Sequence, residues 1–375
     1  MSDTTFIVRL DEPGEGPRLA IKDLIDVAGI PTTAGSRAVA DRATPAEHDA
    51  ACLAGARAAG ARIVGKANLH ELACGATGFN PWFGTPINPL DPALVPGGSS
   101  SGSAVAVATG EADVGYGTDT AGSVRIPPAC CGVTGLKTTW GRIPAQGIWP
   151  LAPSYDTVGP IARNVGGLVQ GMTLLEPGFA IEPWSPSVVG RLRLTADPHI
   201  DAAVDAALAA TGWQVVDVDL PEWQSLGWGA APILMAEAWE SDRRLVETAP
   251  ESVSPGATAF LQMGKAHAEF LANARQAAEE WKRAHRAVFE RVELLALPTL
   301  GVVPPEVTAG GDDTVLAAAT LPVNTAGVPA LAMPVPTPGA RVPASLQLIG
   351  PWDAEERLLA AAAVVEAAVG PGPFG

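Results

Sequence analysis

Basic residues are scarce in this chain, and cysteines are scarcer. The 375 residues include 24 Lys and Arg against 40 Asp and Glu, so the formal net charge is −16. Nucleic acids and anionic membrane surfaces attract proteins through basic patches, so we expect this acidic chain to bind neither. The 4 cysteines show no C-x-x-C spacing, which argues against a disulfide framework and against a zinc site. Free thiols are typical of a reducing cytoplasm, where we expect the protein to reside.

Long apolar runs and leader-like segments are missing as well. The longest uncharged stretch, residues 314–340, is interrupted by prolines and therefore does not predict a plain membrane-spanning helix. The first residues lack a basic segment followed by an apolar core, so no secretory signal is predicted. Apolar residues make up 47% of the chain, which is enough for a large core and excludes a mainly disordered protein.

Helical and strand patterns alternate along the chain. A capping box from Thr44 to Glu47 predicts a helix over residues 45–59. Apolar periodicity predicts the remaining elements, namely strands at 19–25, 61–65, 213–220 and 293–300, and helices at 201–212, 270–292 and 354–369. This alternation is typical of α/β proteins with a large mixed central β-sheet flanked by helices. We find no internal repeat and no long linker, so the chain is interpreted as a single domain over residues 1–375.

Three short motifs suggest chemistry without establishing it. Residues 60–67 almost match a phosphate-binding loop, but Ala67 lacks the hydroxyl that would bind magnesium. Residues 98–102 fit the G-x-S-x-G nucleophile elbow with Ser100 as nucleophile, although the proline-rich segment before them is poor strand material. His70 has no second histidine at metalloprotease spacing, so it is interpreted as a structural residue. We predict no metal and no cofactor.

One lysine has unusual neighbours. Lys22 shares a face of its predicted strand with Ala20 and Leu24, which is an apolar setting for an ammonium group. Burial lowers the pKa of such an amine below its usual value of about 10.4, and a neutral amine can act as base for a serine hydroxyl. The alternative is that the side chain extends past its apolar neighbours to the solvent.

Residues 97–140 favour the first of these alternatives, in which Lys22 is a buried base. The blocks GGSSSGSAVAVATG and GTDTAGSVRIP resemble those of the amidase signature family, and the interval from Ser99 to Ser123 matches the family's spacing between its catalytic serines. The likeness covers residues 19–170 and 290–368, with a signature core at about 60–170. The middle region, about 175–290, shows no resemblance that we recognise.

The resemblance implies the amidase-signature fold and a hydrolase that needs no cofactor. Ser123 would be the nucleophile of an acyl-enzyme, and Ser99, preceded by a cis peptide, would connect it to a neutral Lys22. Asp119 and Arg125 would form a pair that orients the loop of the nucleophile.

Other residues of the signature region receive supporting roles. Ser100 is expected to form a hydrogen bond near the relay. The turn before the nucleophile can form a backbone nest whose N–H groups stabilise the oxyanion of a tetrahedral intermediate. The four residues of this predicted oxyanion hole are Thr120, Ala121, Gly122 and Ser123.

The resemblance implies a small-molecule amide as substrate, cleaved to an acid and ammonia or an amine. Pocket residues that would favour an apolar acyl group are predicted to be Leu72, Ala73, Cys74, Gly75, Trp82, Phe83 and Trp149. Two alternatives stay open. One is the glutaminase subunit of a tRNA-dependent amidotransferase, for which the chain is short. The other is a non-catalytic binding protein on the same scaffold, which the presence of all three relay residues opposes. A homo-oligomer is also left open.

Overall fold

The strands form one mixed sheet, and helices cover both of its faces. A computed structural model describes residues 4–307 and 313–375. Its strands are β1 (Phe6–Arg9), β2 (Arg18–Lys22), β3 (Arg62–Ala67), β4 (Val114–Asp119), β5 (Thr134–Lys137), β6 (Thr157–Ala162), β7 (Val188–Leu192), β8 (Gln214–Val218), β9 (Leu294–Pro298), β10 (Ala330–Val335) and β11 (Ala344–Ile349). Its helices are α1 (Arg37–Ala40), α2 (Ala54–Ala58), α3 (Ser101–Ala108), α4 (Ile126–Cys131), α5 (Val165–Leu175), α6 (Pro198–Ala210), α7 (Ala231–Thr248), α8 (Pro255–Ala266), α9 (Leu271–Val288), α10 (Asp313–Ala317), α11 (Leu321–Ala326) and α12 (Glu355–Val369).

Parallel and antiparallel strand pairs share the sheet. The strand order is β1–β3–β2–β4–β6–β5–β10–β11–β9–β7–β8. Strand β2 is parallel to both β3 and β4, and β7 is parallel to both β8 and β9. The other neighbouring pairs are antiparallel. The prediction of a large mixed sheet flanked by helices is therefore confirmed.

Strand β2 lies at the centre of one half of the sheet, with protein on both faces. Leu19 and Ile21 belong to one buried cluster together with residues of α5, whereas Ala20 belongs to another cluster together with residues of α3. A parallel strand covered on both faces is expected to be apolar along its whole length. Lys22, at the carboxyl end of β2, is therefore held in a dry environment.

Most of the predicted elements are present, and one helix is wrong in extent. The helices predicted at 201–212, 270–292 and 354–369 correspond to α6, α9 and α12. The helix predicted over 45–59 is restricted to a 3₁₀ turn and α2, which begins at Ala54. The capping box is not used because its backbone pairs elsewhere: Ala46 donates to the carbonyl of Ile30 and accepts from Gly29. Tertiary pairing of this segment has overridden its local helical preference.

The topology brings the carboxyl ends of three parallel strands to one edge of the sheet. Because β2, β3 and β4 are parallel neighbours, their carboxyl ends meet there. In α/β proteins this is the edge at which ligands bind. Lys22 ends β2, His70 follows β3, and Asp119 ends β4.

Two observations bear on the composition of the chain. All four cysteines are unpaired and buried. Within the ranges that the structure describes, no helix is both long and apolar enough to cross a lipid bilayer.

Candidate active site

A buried amine contacts a serine hydroxyl at this edge of the sheet. The Lys22 Nζ atom lies 2.7 Å from Ser99 Oγ and 2.8 Å from Thr118 Oγ1, and a longer contact of 3.4 Å joins it to the Thr118 carbonyl oxygen. The Lys22 side chain does not extend to the solvent, because its exposed fraction is 0%. The apolar setting read from the sequence is therefore realised.

Burial determines the charge state of Lys22. Removal from water lowers its pKa from 10.5 to about 7, although the nearby carboxylates of Asp156 and Asp119 act in the opposite direction. A substantial fraction of this amine is therefore neutral near pH 7, as a base requires. Lys137 is also buried, with its pKa lowered to about 7 by the same cause, but its partners among the described residues are the carbonyl oxygens of Thr138 and Val328.

The two serines of the predicted relay differ in their exposure to the cavity. The Gly98–Ser99 peptide bond is cis, as predicted, and Ser99 is fully buried. Ser123 follows β4 by four positions and is slightly exposed, at 8%, where it lines a cavity. The buried Ser99 therefore lies on the protein side of the site, and Ser123 lies on the cavity side.

A buried ion pair holds the loop that carries Ser123. The Arg125 guanidinium donates to both Asp119 oxygens, at 3.0 Å from Nε to Oδ2 and at 2.9 Å from Nη2 to Oδ1. The same guanidinium also donates to the Thr320 carbonyl oxygen and to Gln347 Oε1. Burial raises the pKa of Asp119, but Arg125 outweighs this and brings it down to about 2. A bidentate pair of this kind, with every partner satisfied, fixes the loop geometry.

The backbone of the loop is partly occupied by the same carboxylate. Asp119 accepts hydrogen bonds from the N–H groups of Gly122 and Val124, at 2.8 Å and 3.0 Å. In this structure the Gly122 N–H, a predicted donor of the oxyanion hole, is therefore bonded to Asp119. Thr120, Ala121 and Ser123 line the cavity. Thr320 Oγ1 donates to the Ala121 carbonyl oxygen and connects this turn to the segment before α11.

The cavity beside Ser123 has a volume of about 630 Å³ and largely apolar walls. Three of the predicted pocket residues line it: Ala73, Cys74 and Gly75. Large apolar side chains from elsewhere in the chain also line it, among them Phe79, Trp228, Leu234, Met235, Phe260, Met263 and Leu321. The cavity is therefore apolar, and three of the seven predicted pocket residues are among those that line it.

Four predicted pocket residues are absent from the cavity walls that the structure describes. Leu72 is buried in a neighbouring cluster. Trp82 donates its indole N–H to Glu71, and Trp149 donates to Asp242. Phe83 lies in the loop that packs against Asn68. The indole donors of both tryptophans are bound to buried carboxylates, so they serve the protein interior and not a ligand.

The short motifs found in the sequence also have structural positions. Ser100 Oγ donates to the Thr118 carbonyl oxygen at 3.3 Å, next to the relay as expected, and it is fully buried. A buried hydroxyl is a poor candidate for the nucleophile of an elbow motif. Lys66 forms a buried ion pair with Asp23 at 2.9 Å. His70 lines the cavity, and burial lowers its pKa.

Several residues of the site belong to no motif that the sequence analysis recognised. Thr118 contacts Lys22 through both its hydroxyl and its carbonyl oxygen. Asp156 accepts from Thr120 Oγ1 at 2.6 Å, and burial raises its pKa to about 6. Asp313 lines the cavity. The uncharged apolar run around Trp228 is a sequence signal that could have pointed to a further wall of the cavity.

Comparison with known proteins identifies one family. The sequence profile described as Amidase matches residues 15–176 and 188–359. This match includes most of the middle region, about 175–290, in which the sequence analysis recognised no resemblance.

Individual relatives match over most of the chain. The chain is 33% identical to a glutamyl-tRNA(Gln) amidotransferase subunit from Halobacterium salinarum, over 98% of both chains. It is 36% identical to the 2-amino-5-chloromuconic acid deaminase of Comamonas testosteroni, over 96% of this chain and 83% of that protein. A crystal structure of an amidase has a TM-score of 0.86 and 31% identity, covering 94% of this chain and 85% of the other.

Proposed function

Because this chain belongs to the amidase family of amide-hydrolysing enzymes, we propose that it cleaves small-molecule carboxamides through an acyl-enzyme on Ser123. The observation that carries this proposal is the 2.7 Å contact between Lys22 and Ser99. This contact joins a buried amine, whose pKa is lowered, to a serine near the loop that carries Ser123. Membership of a family of enzymes also removes the alternative of a non-catalytic binding protein.

The proposed reaction begins with proton transfer through the relay. Neutral Lys22 takes the proton of Ser99, and Ser99 takes the proton of Ser123. At the same time Ser123 Oγ attacks the amide carbonyl carbon. When the carbon–nitrogen bond breaks, the relay returns that proton to the departing amine. Water then attacks the acyl-enzyme and gives a proton to the relay, and the relay passes this proton to Ser123 Oγ as the ester bond breaks and the carboxylic acid leaves.

Backbone N–H groups of the turn before Ser123 would stabilise the oxyanion. Since Asp119 occupies the Gly122 N–H, the proposal retains Thr120, Ala121 and Ser123 as donors. Removing one oxyanion donor typically lowers kcat by about 10²–10³-fold. The buried Asp119–Arg125 pair contributes by holding this turn in place.

A fluorophosphonate probe tests the assignment of the nucleophile. We expect covalent labelling of Ser123, located by peptide mass spectrometry, together with loss of amide turnover. Ser123→Ala and Lys22→Ala should each abolish turnover in a folded protein, whereas Ser103→Ala, which removes a hydroxyl bonded to the Tyr116 carbonyl oxygen, should retain it. Labelling of Ser100 in place of Ser123, or full activity of Ser123→Ala, would refute the proposal.

A second candidate function is that of a glutaminase subunit. The relative named as a glutamyl-tRNA(Gln) amidotransferase subunit favours it, because the match covers 98% of both chains. Ammonia release from free glutamine by the purified chain, with and without candidate partner proteins, distinguishes the two functions. The second candidate is favoured if the chain hydrolyses glutamine and no other amide, and does so only when a partner protein is present.

A further inference from the structure

We propose, on the basis of the function above, that the active-site cavity selects carboxamides with an apolar acyl chain and a distal ammonium group, which Asp313 recognises. Substrates with a carboxylate on the acyl chain would be rejected. This inference goes beyond the reaction type, because it assigns the substrate class and one specificity-determining residue.

The apolar part of the inference rests on the cavity walls. Phe79 and Met263 line the cavity with 39% and 43% of their surfaces exposed. Trp228 and Phe260 add aromatic surface from the segments before α7 and within α8. Apolar surface exposed in a concave site is stabilised when an apolar ligand covers it. An unbranched or aromatic acyl chain meets this requirement, whereas a strongly polar chain does not.

The second part of the inference, the preference for an ammonium group over a carboxylate group, rests on the charge of the cavity. Among the described residues that line it there is no Lys and no Arg, and Asp313 is the one carboxylate. His70 also lines it, but burial lowers its pKa and so favours the neutral ring. A ligand carboxylate would lose its water without gaining a cationic partner, and it would share the cavity with Asp313. An ammonium group would find an opposite charge.

The position of Asp313 leaves it able to serve a ligand. This residue begins α10 and is half-buried, and its Oδ1 accepts the N–H of Ala76 at 2.7 Å. Among the described residues no basic side chain forms an ion pair with it. Its charge also raises the pKa of His70 against the larger effect of burial, which places both groups in one electrostatic environment. One oxygen therefore orients the carboxylate and the other is left for an ammonium group.

Three amides of matched length test the inference: hexanamide, 5-aminopentanamide and glutaric acid monoamide, each with its longer homologues. They place a methyl, an ammonium or a carboxylate group at the distal end. We expect kcat/KM to fall in the order ammonium, methyl, carboxylate. A hydrogen bond to a charged group corresponds to a preference of about 10-fold to 100-fold for ammonium over methyl. Carboxylate amides should be the poorest substrates at every length.

Asp313→Asn separates the charge of this residue from its structural contact. Asparagine retains an oxygen that can accept from Ala76, so the loop should stay in place. The variant should lose the preference for the ammonium amide, measured as the ratio of kcat/KM for 5-aminopentanamide to kcat/KM for hexanamide. Asp217→Asn is the matched control, because Asp217 is 73% exposed, pairs with Arg193 on the distant β7–β8 edge, and changes the net charge equally. The control should keep the full preference.

The outcomes separate this inference from the proposed function. If the carboxylate amides are turned over best, or if Asp313→Asn leaves the preference intact, the inference is wrong while the amidase function stands. If no amide is hydrolysed, the proposed function fails. Calorimetric binding of the same amides to Ser123→Ala then decides the inference separately. Tighter binding of the ammonium amide than of the carboxylate amide supports it, and equal or reversed affinities overturn it.

Discussion

Replacing Lys22 by methionine removes a buried amine while keeping a side chain of similar length. Burial lowers the pKa of this amine from 10.5 to about 7 in the folded protein. The unfolded chain therefore holds a proton on Lys22 between these two values while the folded protein releases it. Stability rises with pH wherever the unfolded state binds more protons. The wild type should thus gain stability from Lys22 between about pH 7 and 10.5, and the cost of burying the charge is fully present below that window.

The size of the effect follows from the width of that window. Each pH unit inside it is worth up to about 1.4 kcal/mol, so the whole window corresponds to about 5 kcal/mol. Between pH 7 and pH 9 the difference in unfolding free energy, wild type minus Lys22→Met, should grow by about 2 kcal/mol. Lys137 is present in both proteins, so its own lowered pKa cancels in the difference. In the variant, Ser99 and Thr118 also lose their contact with the amine at every pH.

Guanidinium chloride unfolding at several pH values measures this difference. The control is Lys282→Met, whose amine is 45% exposed beside Glu279 and is solvated whether or not the chain is folded. Its difference from the wild type should not change over the same range. The wild-type kcat/KM should rise with pH through about 7 as Lys22 loses its proton, and Lys22→Met should be inactive throughout. A constant difference in unfolding free energy between pH 7 and 9 would refute the reasoning.

Three further predictions concern the loop of the nucleophile and the thiols. Gly122→Ala should lower stability by about 1–3 kcal/mol and lower kcat, since Gly122 has a φ of +132° and an added Cβ would clash with Thr320 Oγ1. Gly178→Ala, at a φ of +94° with no atom within 4 Å of the added Cβ, should cost less in denaturant unfolding and leave kcat unchanged. Arg125→Met should cost about 3–5 kcal/mol in the same assay, because it leaves Asp119 buried without its partner; an unchanged midpoint would contradict this. The four buried cysteines are Cys52, Cys74, Cys130 and Cys131. A thiol reagent at neutral pH should label none of them before unfolding and all of them afterwards, because burial raises their pKa values. Rapid labelling of the native protein would contradict their burial.

The helices and strands were predictable wherever local pattern and tertiary environment agree. The run at 61–65 is apolar because β3 is covered by protein, and α9 shows its apolar stripe because only one face packs inward. The segment at 45–59 contains a capping signal that its own backbone does not use, because Ala46 pairs with the chain near Ile30. A local signal of about 1 kcal/mol is readily outweighed by such tertiary pairing.

The sequence by itself determined the identity of the relay candidates, because Ser99 and Ser123 lie in contiguous blocks whose residue order can be read directly. The tertiary structure alone decided the state of Lys22, since its pKa depends on the absence of water on every side of the amine, which the packing of two buried clusters around β2 produces. It also decided the cavity, whose walls join Gly75 to Phe260 and Asp313. Contacts between residues so far apart in the chain depend on how the helices pack beyond the edge of the sheet, and no periodicity or short motif encodes that arrangement.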